Sequence, residues 1–263
     1  MRKVYCTIIT LDYLPYALSL NESLISGDPG AQLKVLIADS ECELSSVTVC
    51  YPNIEFYFVN QLCLEGSGKL LYEKYAATDT DCFRWSMKPV FICFLLDQNY
   101  DQVFYLDCDL HFFASTDFLS EDLNGKGVLL TPHWRASDPQ TDKTNFSILQ
   151  TSGLFNAGFV GVSKHGRKAM EWWASVCAYR CKKAPNEGIF VDQAYLDLLP
   201  VYFDNIEIER HRGCNIANWN QVECKRILCE NGEVKIKGDH EIVFIHFTES
   251  TIDGIISGQD YLL

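Results

Sequence analysis

The feature that most constrains the fold of this chain is the alternation of strand and helix signals in its first half. Short apolar, β-rich runs at Val4–Thr10, 33–38 and 54–59 are separated by segments with apolar residues at helical spacing, Tyr16–Ile25 and Lys69–Ala77. Parallel strands need a long crossover connection, which is usually a helix. The β-α-β-α-β order therefore predicts the α/β class, with a mostly parallel central sheet flanked by helices.

The remaining elements are read in the same way but follow a less regular order. We predict a helix from Pro89 to Leu96, strands at 103–113, 127–133, 158–163 and 241–247, an amphipathic helix at Arg167–Cys181, and a short helix at Asp192–Leu199 that Pro200 ends. The sequence contains no internal repeat, low-complexity tract or linker. We therefore expect residues 1–263 to form a single domain, which is a common length for α/β architectures.

Composition excludes several kinds of partner and site. The formal net charge of −13 argues against nucleic acid as the main partner. No segment reaches the roughly 20 apolar residues of a membrane span, which leaves only peripheral membrane contact open. The 12 cysteines form no CxxC pair, and several lie in apolar runs, so we expect reduced thiols and a cytoplasmic location.

The segment FYLDCDLHF, Phe104–Phe112, carries the most informative chemistry. It places Asp107 and Asp109 at the end of an apolar strand, and open α/β sheets bind ligands at the carboxyl ends of their strands. In extended backbone, residues two apart point to the same side. Both carboxylates could then hold one Mg²⁺ or Mn²⁺ ion, which could neutralise a diphosphate.

The sequence leaves two other hypotheses open, a phosphohydrolase and a zinc site. A phosphohydrolase could use Asp107 as a nucleophile, although such enzymes usually carry this pattern on their first strand. A zinc site could be formed from the tetrahedral ligand types of His211, Cys214, Cys224 and Cys229, but their spacing lacks the usual paired cysteines.

The FYLDCDLHF segment resembles the DxD segment of glycosyltransferase family 8, the group of glycogenin-like and lipopolysaccharide-galactosyltransferase-like enzymes. Further segments agree with that family in order, namely FRWSMKP, TPH, FNAGFVGV, a helix containing WW, FVDQAYLDLLP, GCNIANWN and IHFT. The resemblance covers roughly residues 75–250 and the first strand. It implies a GT-A fold and metal-dependent transfer of a hexosyl group from a UDP-sugar to a glycan or other hydroxyl acceptor, with retained anomeric configuration. A binding protein that has lost catalysis is the alternative.

The resemblance also implies a division of labour along the chain. Residues 1–112 would be the nucleotide-binding half, and residues 113–263 would bind the donor sugar and the acceptor. His246 matches the distant histidine that completes the metal site with the two aspartates. Lys88 matches a lysine that faces the donor, and Arg84 is a second candidate for that contact. Without the family resemblance, His246 could be a buried histidine that hydrogen-bonds a backbone carbonyl. Lys88 could equally be a solvated residue at the start of a helix.

Five more positions match the donor-sugar pocket of the family. Asn156, Ala157 and Gly158 resemble its NAG turn, and glycine would let the backbone approach a sugar closely. Asp192 and Gln193 match a DQ pair near the reacting anomeric carbon, where they would orient the sugar and stabilise positive charge. A helix N-cap is the alternative function of Asp192.

The outer parts of the site are less specific. Thr7 and Asp39, at the ends of early strands, are candidates to contact the nucleoside, and Asn215 and Asn218 are candidates to line the pocket. The chain departs from the family after the final histidine, because Glu249 follows where a lysine often reaches the diphosphate.

Overall fold

The structure is a computed structural model that describes residues 1–39, 41 and 44–259. The strands are β1 Lys3–Ile9, β2 Leu33–Ile37, β3 Ile54–Phe58, β4 Gln102–Leu106, β5 Leu110–Phe112, β6 Val128–Pro132, β7 Phe155–Ser163, β8 Lys183–Ala184, β9 Ile189–Phe190, β10 Ile206–Ile208, β11 Arg226–Leu228, β12 Val234–Ile236 and β13 Phe244–His246. The α-helices are α1 Leu14–Gly27, α2 Ser45–Cys50, α3 Gly66–Tyr75, α4 Thr80–Ser86, α5 Lys88–Asp97, α6 Asp117–Asp122, α7 Lys143–Ser152, α8 Arg167–Tyr179, α9 Leu199–Tyr202 and α10 Glu249–Ile256.

Seven strands form the central sheet in the order β10-β6-β7-β4-β1-β2-β3. Only β7 runs antiparallel to its neighbours, β4 and β6, and the other pairings in this sheet are parallel. The predicted α/β class and mostly parallel sheet are thus confirmed. The carboxyl ends of the parallel strands meet at one edge of the sheet, and β7 begins at that same edge.

Both faces of the sheet are buried, which explains the continuously apolar strands. Along β4, Val103 and Tyr105 enter one hydrophobic core, whereas Phe104 and Leu106 enter the other. The first core is completed by α5 and α8, where Trp173 is fully buried. The helices thus hold the sheet rigid from both sides and fix the edge where its strands end.

The structure corrects three predicted boundaries. The strand predicted at 103–113 is two strands, β4 and β5, which a turn separates. Pro200 does not end the helix before it, because a 3₁₀ helix at Gln193–Leu198 leads directly into α9, where proline occupies the first turn. The helix predicted to reach Cys181 ends at Tyr179.

Two further features bear on the sequence-based expectations. None of the described helices is long and apolar enough to cross a membrane. The cysteines that the structure describes are all free thiols, and most of them are buried or partly buried. The cytoplasmic location stays a prediction.

Candidate active site

The two aspartates of the DxD segment lie in a tight turn at the carboxyl end of β4. The Leu110 N–H donates to the Asp107 carbonyl at 3.1 Å and closes the turn, and the Asp107 N–H donates to the Gly158 carbonyl at 2.8 Å. The prediction that Asp107 and Asp109 lie in one extended strand is therefore wrong. The turn, rather than strand periodicity, brings the two carboxylates to the same place.

His246 reaches these carboxylates because β13 pairs antiparallel with β5. The register places His246 opposite Leu110, one residue beyond the turn. His246 Nε2 lies 3.2 Å from Asp109 Oδ1, and ligand atoms of Asp107, Asp109 and His246 all lie within 4.8 Å of one another. Within the described residues, this is the one group of three or more such side chains with the spacing of a metal site.

Two observations test whether these residues fit a cation. Asp109 Oδ1 is buried and makes no well-aligned hydrogen bond, so it has a lone pair to share. A Cβ atom at Gly158 would lie 2.7 Å from Asn156 Oδ1, 2.8 Å from His246 Cε1 and 2.9 Å from Asp107 Oδ2. Glycine at this position therefore leaves the space between the three side chains open. Oxygen ligands with one imidazole suit Mn²⁺ or Mg²⁺.

Lys88 is buried between the carboxylates of Asp107 and Asp192. Its ammonium lies 3.3 Å from Asp107 Oδ1 and 3.4 Å from Asp192 Oδ2, and it donates to the Ala157 carbonyl at 3.1 Å. Burial alone would lower the pKa of Lys88, but the two carboxylates outweigh it and raise that pKa. The alternative of a solvated lysine is wrong, since the side chain is only 3% exposed and all three of its N–H groups have acceptors nearby.

Asp192 is buried at the start of the 3₁₀ helix. Burial raises the pKa of its carboxyl to about 6, even though Lys88 opposes that rise. The carboxylate makes no capping hydrogen bond, so the alternative function as a helix N-cap is wrong. The Trp173 indole N–H donates to the Asp192 carbonyl at 2.9 Å, which fixes the backbone here.

Val191, the residue before Asp192, has a φ of +48°. A β-branched residue is a clear outlier in this region, where such strain often marks a functional site. The strained residue directly precedes Asp192, whose carboxylate faces Lys88.

Asn156, Ala157 and Gly158 form no turn, because they lie in the first part of strand β7, and Gln193 holds this NAG segment from outside. Its Oε1 accepts from the Ala157 N–H at 3.0 Å, and its Nε2 donates to the Ser152 carbonyl at 2.8 Å. The amide is thus engaged at both ends by backbone. Within the NAG segment, the Gly158 N–H donates to Asn156 Oδ1 at 2.6 Å, and the Asn156 side chain lies beside His246.

Comparisons with known proteins bear on this geometry. No family model matches the chain. It is 29% identical over 254 residues to the uncharacterized protein YfnF of Bacillus subtilis, a match that covers 94% of this chain and 82% of YfnF. Mouse xyloside xylosyltransferase 1 superposes with a TM-score of 0.59 at 12% identity, covering 95% of this chain and 99% of that one. The galactosyltransferase LgtC, solved with donor and acceptor sugar analogs, superposes with a TM-score of 0.56 at 14% identity. The match covers 92% of this chain and 86% of LgtC.

The chain has the GT-A fold of glycosyltransferases. The identities to the solved structures are low, so the likeness concerns architecture. The predicted GT-A fold is confirmed. The division into a nucleotide-binding and a sugar-binding half stays a prediction.

In this GT-A fold an open pocket of about 290 Å³ adjoins the DxD turn. Its walls include Tyr13, Tyr16, Arg84, Phe247 and Glu249, together with the DxD residues themselves. The Tyr13 and Tyr16 rings lie 5.4 Å apart, and the Arg84 guanidinium lies 5.4 Å from the Tyr13 ring. The two tyrosines were not among the predicted site residues, although they follow the first strand closely in the sequence.

The structure does not bring Thr7 or Asp39 into this pocket. Thr7 lies within β1, opposite Val35 of β2, and is fully buried. Asp39 is exposed, and its carboxylate accepts from the Leu11 N–H at 3.0 Å, which supports the 3₁₀ turn after β1. Asp39 thus supports the turn that carries Tyr13 rather than lining the pocket itself.

The four zinc candidates are not gathered into a site. Cys214 and Cys224 are buried in different hydrophobic clusters. His211 stacks edge-on against His240, with ring centroids 4.4 Å apart, and its Nδ1 accepts from the Gly213 N–H. The zinc alternative therefore has no geometric support in the part of the chain that the structure describes.

Proposed function

We propose that this protein is a metal-dependent glycosyltransferase that moves a hexosyl group from a UDP-sugar to a glycan or other hydroxyl acceptor, with retention. The observation that carries the proposal is the convergence of Asp107, Asp109 and His246 at the ligand-binding edge of a GT-A sheet. The buried charges of Lys88 and Asp192 directly behind this group suit a reaction that develops charge.

Asp107, Asp109 and His246 would hold the cation, Mn²⁺ or Mg²⁺. When bound, it would supply positive charge that neutralises the diphosphate leaving group. Tyr105 and Lys88 prepare the site for it, because the Tyr105 hydroxyl donates to Asp107 Oδ1 at 2.8 Å and Lys88 holds the same carboxylate. Burial would raise the pKa of Asp107, but Lys88 and His246 lower it, so the ligand is ionised.

The open pocket beside the DxD turn is our candidate for the nucleotide. The Tyr13 and Tyr16 rings offer faces on which a base could stack. Arg84 is the positively charged side chain of the pocket wall, and we assign it a contact with the diphosphate.

The donor sugar would lie between the NAG segment of β7 and Asp192. Gly158 allows close approach of backbone to the ring, and Asn156 offers polar groups to it. In place of a direct contact with the sugar, we assign Gln193 to positioning this segment, because its amide already binds backbone on both sides.

The acceptor hydroxyl would attack the anomeric carbon from the face that the diphosphate leaves. The bond from the anomeric carbon to the acceptor oxygen forms, the bond to the phosphate oxygen breaks, and a diphosphate oxygen takes the hydroxyl proton. Asp192 would stabilise positive charge on the anomeric carbon without a covalent intermediate. Product and donor would then share their anomeric configuration.

The test is a thermal-shift screen of nucleotide sugars with and without Mn²⁺, followed by transfer assays with the donors that bind. A ligand that binds the folded state raises its melting temperature by mass action. We expect a UDP-sugar to do so only with the cation, and proton NMR couplings of the product to show retention.

Five outcomes would count against the proposal. Full transfer activity after chelation would remove the metal assignment. An inverted product, or a glycosyl adduct on Asp192, would refute the mechanism. Tight UDP-sugar binding with neither hydrolysis nor transfer would favour a binding protein, and phosphate-ester hydrolysis through a phosphorylated Asp107 would favour the phosphohydrolase.

A further inference from the structure

Two buried asparagines contact the ring nitrogen of His246 that faces away from the carboxylates. Asn156 Nδ2 lies 3.3 Å and Asn215 Oδ1 lies 3.4 Å from His246 Nδ1. The other ring nitrogen, Nε2, faces Asp109 Oδ1 at 3.2 Å. Asn156 and Asn215 are 3% and 1% exposed, so water does not compete for these contacts.

The orientation of each amide is fixed by a second partner that has only one hydrogen-bonding capacity. The Gly158 N–H can only donate, so the Asn156 atom that it meets at 2.6 Å is the oxygen. The Pro132 carbonyl can only accept, so the Asn215 atom at 3.1 Å from it is the nitrogen. His246 Nδ1 is therefore offered one donor, from Asn156, and one acceptor, from Asn215.

A neutral imidazole carries one proton and can satisfy only one of these partners at a time. With the proton on Nε2, Nδ1 accepts from Asn156 and the Nε2–H faces the Asp109 carboxylate. With the proton on Nδ1, it donates to Asn215, and the Nε2 lone pair points at the carboxylates. That second arrangement is repulsive unless a cation lies between them.

We propose that Asn215 is a positioning residue that holds His246 as the Nδ1–H tautomer when the cation binds, whereas Asn156 holds the Nε2–H tautomer when it is absent. With the ring proton on Nδ1, the Nε2 lone pair is free to bind the cation. The inference rests on the metal site of the proposed function. Hydrogen bonds to the second nitrogen of a metal-bound histidine set its tautomer in this way.

The backbone around Asn215 is built to deliver its side chain. Its φ is +63°, a left-handed conformation that asparagine tolerates better than most residues. The next residue, Ile216, lies beside β13, because its N–H donates to the Phe244 carbonyl at 3.1 Å and its carbonyl accepts from the His246 N–H at 2.8 Å. These two hydrogen bonds thus fix the position of Asn215 relative to His246.

The experiment compares the wild type with Asn215→Gly, which keeps the left-handed backbone and removes the acceptor. Mn²⁺ affinity is measured by electron paramagnetic resonance without any nucleotide. The tautomer of His246 is read from ¹H–¹⁵N spectra of ¹⁵N-histidine protein with and without Cd²⁺, with His246→Gln to assign its signals among the six histidines. Asn21→Ala, a fully buried asparagine on α1, is the matched control.

We expect Asn215→Gly to bind Mn²⁺ about 10- to 100-fold more weakly, with the His246 proton no longer held at Nδ1 in the Cd²⁺ form. Asn21→Ala should lower the melting temperature but leave both readings unchanged. Wild-type affinity and tautomer in Asn215→Gly would overturn the inference and leave the metal site standing, as would weaker binding with Nδ1 still protonated. A wild type that binds no Mn²⁺ would overturn the metal site itself.

Discussion

Replacing Lys88 by methionine should destabilise the protein and should do so more at high pH. The substitution keeps the length and apolar stem of the side chain but removes an ammonium that is 3% exposed. Two carboxylates and one carbonyl lose their common partner. Removal of one member of a buried ion pair typically costs about 3–5 kcal/mol, because the other charge is left uncompensated.

The distances and burial of the two carboxylates narrow the expected loss of stability. At the 3.4 Å between Lys88 Nζ and Asp192 Oδ2, one pair of unit charges interacts by about 5 kcal/mol at an effective dielectric of 20. Asp107 is 32% exposed on its side chain, so water screens its share. Asp192 can also escape by taking up a proton, since burial already raises its pKa to about 6 with Lys88 present. We therefore expect the lower end, about 3 kcal/mol at pH 8.

The sign of the pH dependence follows from the titration of Asp192. Burial already raises the pKa of Asp192 to about 6 in the wild type, and loss of Lys88 raises it further, so below about pH 6 the carboxyl is protonated in both proteins and its attraction to Lys88 is small. The cost of the substitution should thus shrink between pH 8 and pH 5. Urea unfolding at both pH values measures it, and about 3 kcal/mol corresponds to a fall in melting temperature of about 6–12 °C.

Lys34→Met is the matched control for this experiment. Lys34 is also buried, at 7% side-chain exposure, but it pairs at 2.6 Å with Glu55, which is 55% exposed. A pair whose acid is solvated should lose less than about 1 kcal/mol. Equal losses in the two variants, or a loss at Lys88 that does not change with pH, would refute the reasoning.

Further predictions concern the site and one remote carboxyl. Asp109→Ala should weaken UDP binding in the presence of Mn²⁺ and leave metal-free binding unchanged, as measured by calorimetry. Asp192→Asn should keep donor binding while transfer falls about 10²- to 10³-fold, because the lost interaction strengthens in the transition state. Gly158→Ala should weaken Mn²⁺ binding by about tenfold or more, since its Cβ would displace ligand atoms. Burial raises the pKa of Glu209 to about 7, so Glu209→Gln should stabilise the protein at pH 8, where the native carboxyl is charged, by roughly 1–3 kcal/mol, and not at pH 4.5. The exposed Glu230→Gln is its control, and unchanged melting curves at pH 8 would contradict this view.

Elements with strong local patterns could be predicted from sequence. Strands β1, β2 and β3 and helices α1 and α5 lie within a few residues of their predicted bounds, because apolar runs and helical spacing report burial directly. Helix α7 and the β11–β12 hairpin were missed. Their residues are mostly exposed or half-buried, so they carry no periodic apolar signal.

The candidate site was predictable in its residues but not in its shape. The DxD aspartates stood out locally, yet the turn that joins them depends on a hydrogen bond to the Gly158 carbonyl on another strand. His246 was found through the family resemblance, since its pairing with β5 spans more than a hundred residues. Nothing in the local sequence of Lys88 shows that two distant carboxylates will surround it.

Under the proposed function, the charges around the pocket would make a divalent cation a requirement rather than an aid. Lys88 is buried among groups of the protein itself, because it donates to the Ala157 carbonyl and its ammonium faces the Asp107 and Asp192 carboxylates, which already balance its charge. Among the residues that line the pocket, Arg84 is the cation, and it already pairs with Asp81 at 3.0 Å. Asp12 and Glu249 add negative charge to walls that also carry the DxD aspartates. A diphosphate would enter this acidic pocket against repulsion unless a cation at the DxD turn reversed the local field. In the proposed reaction, Glu249 would therefore leave phosphate binding mainly to the metal at the DxD turn.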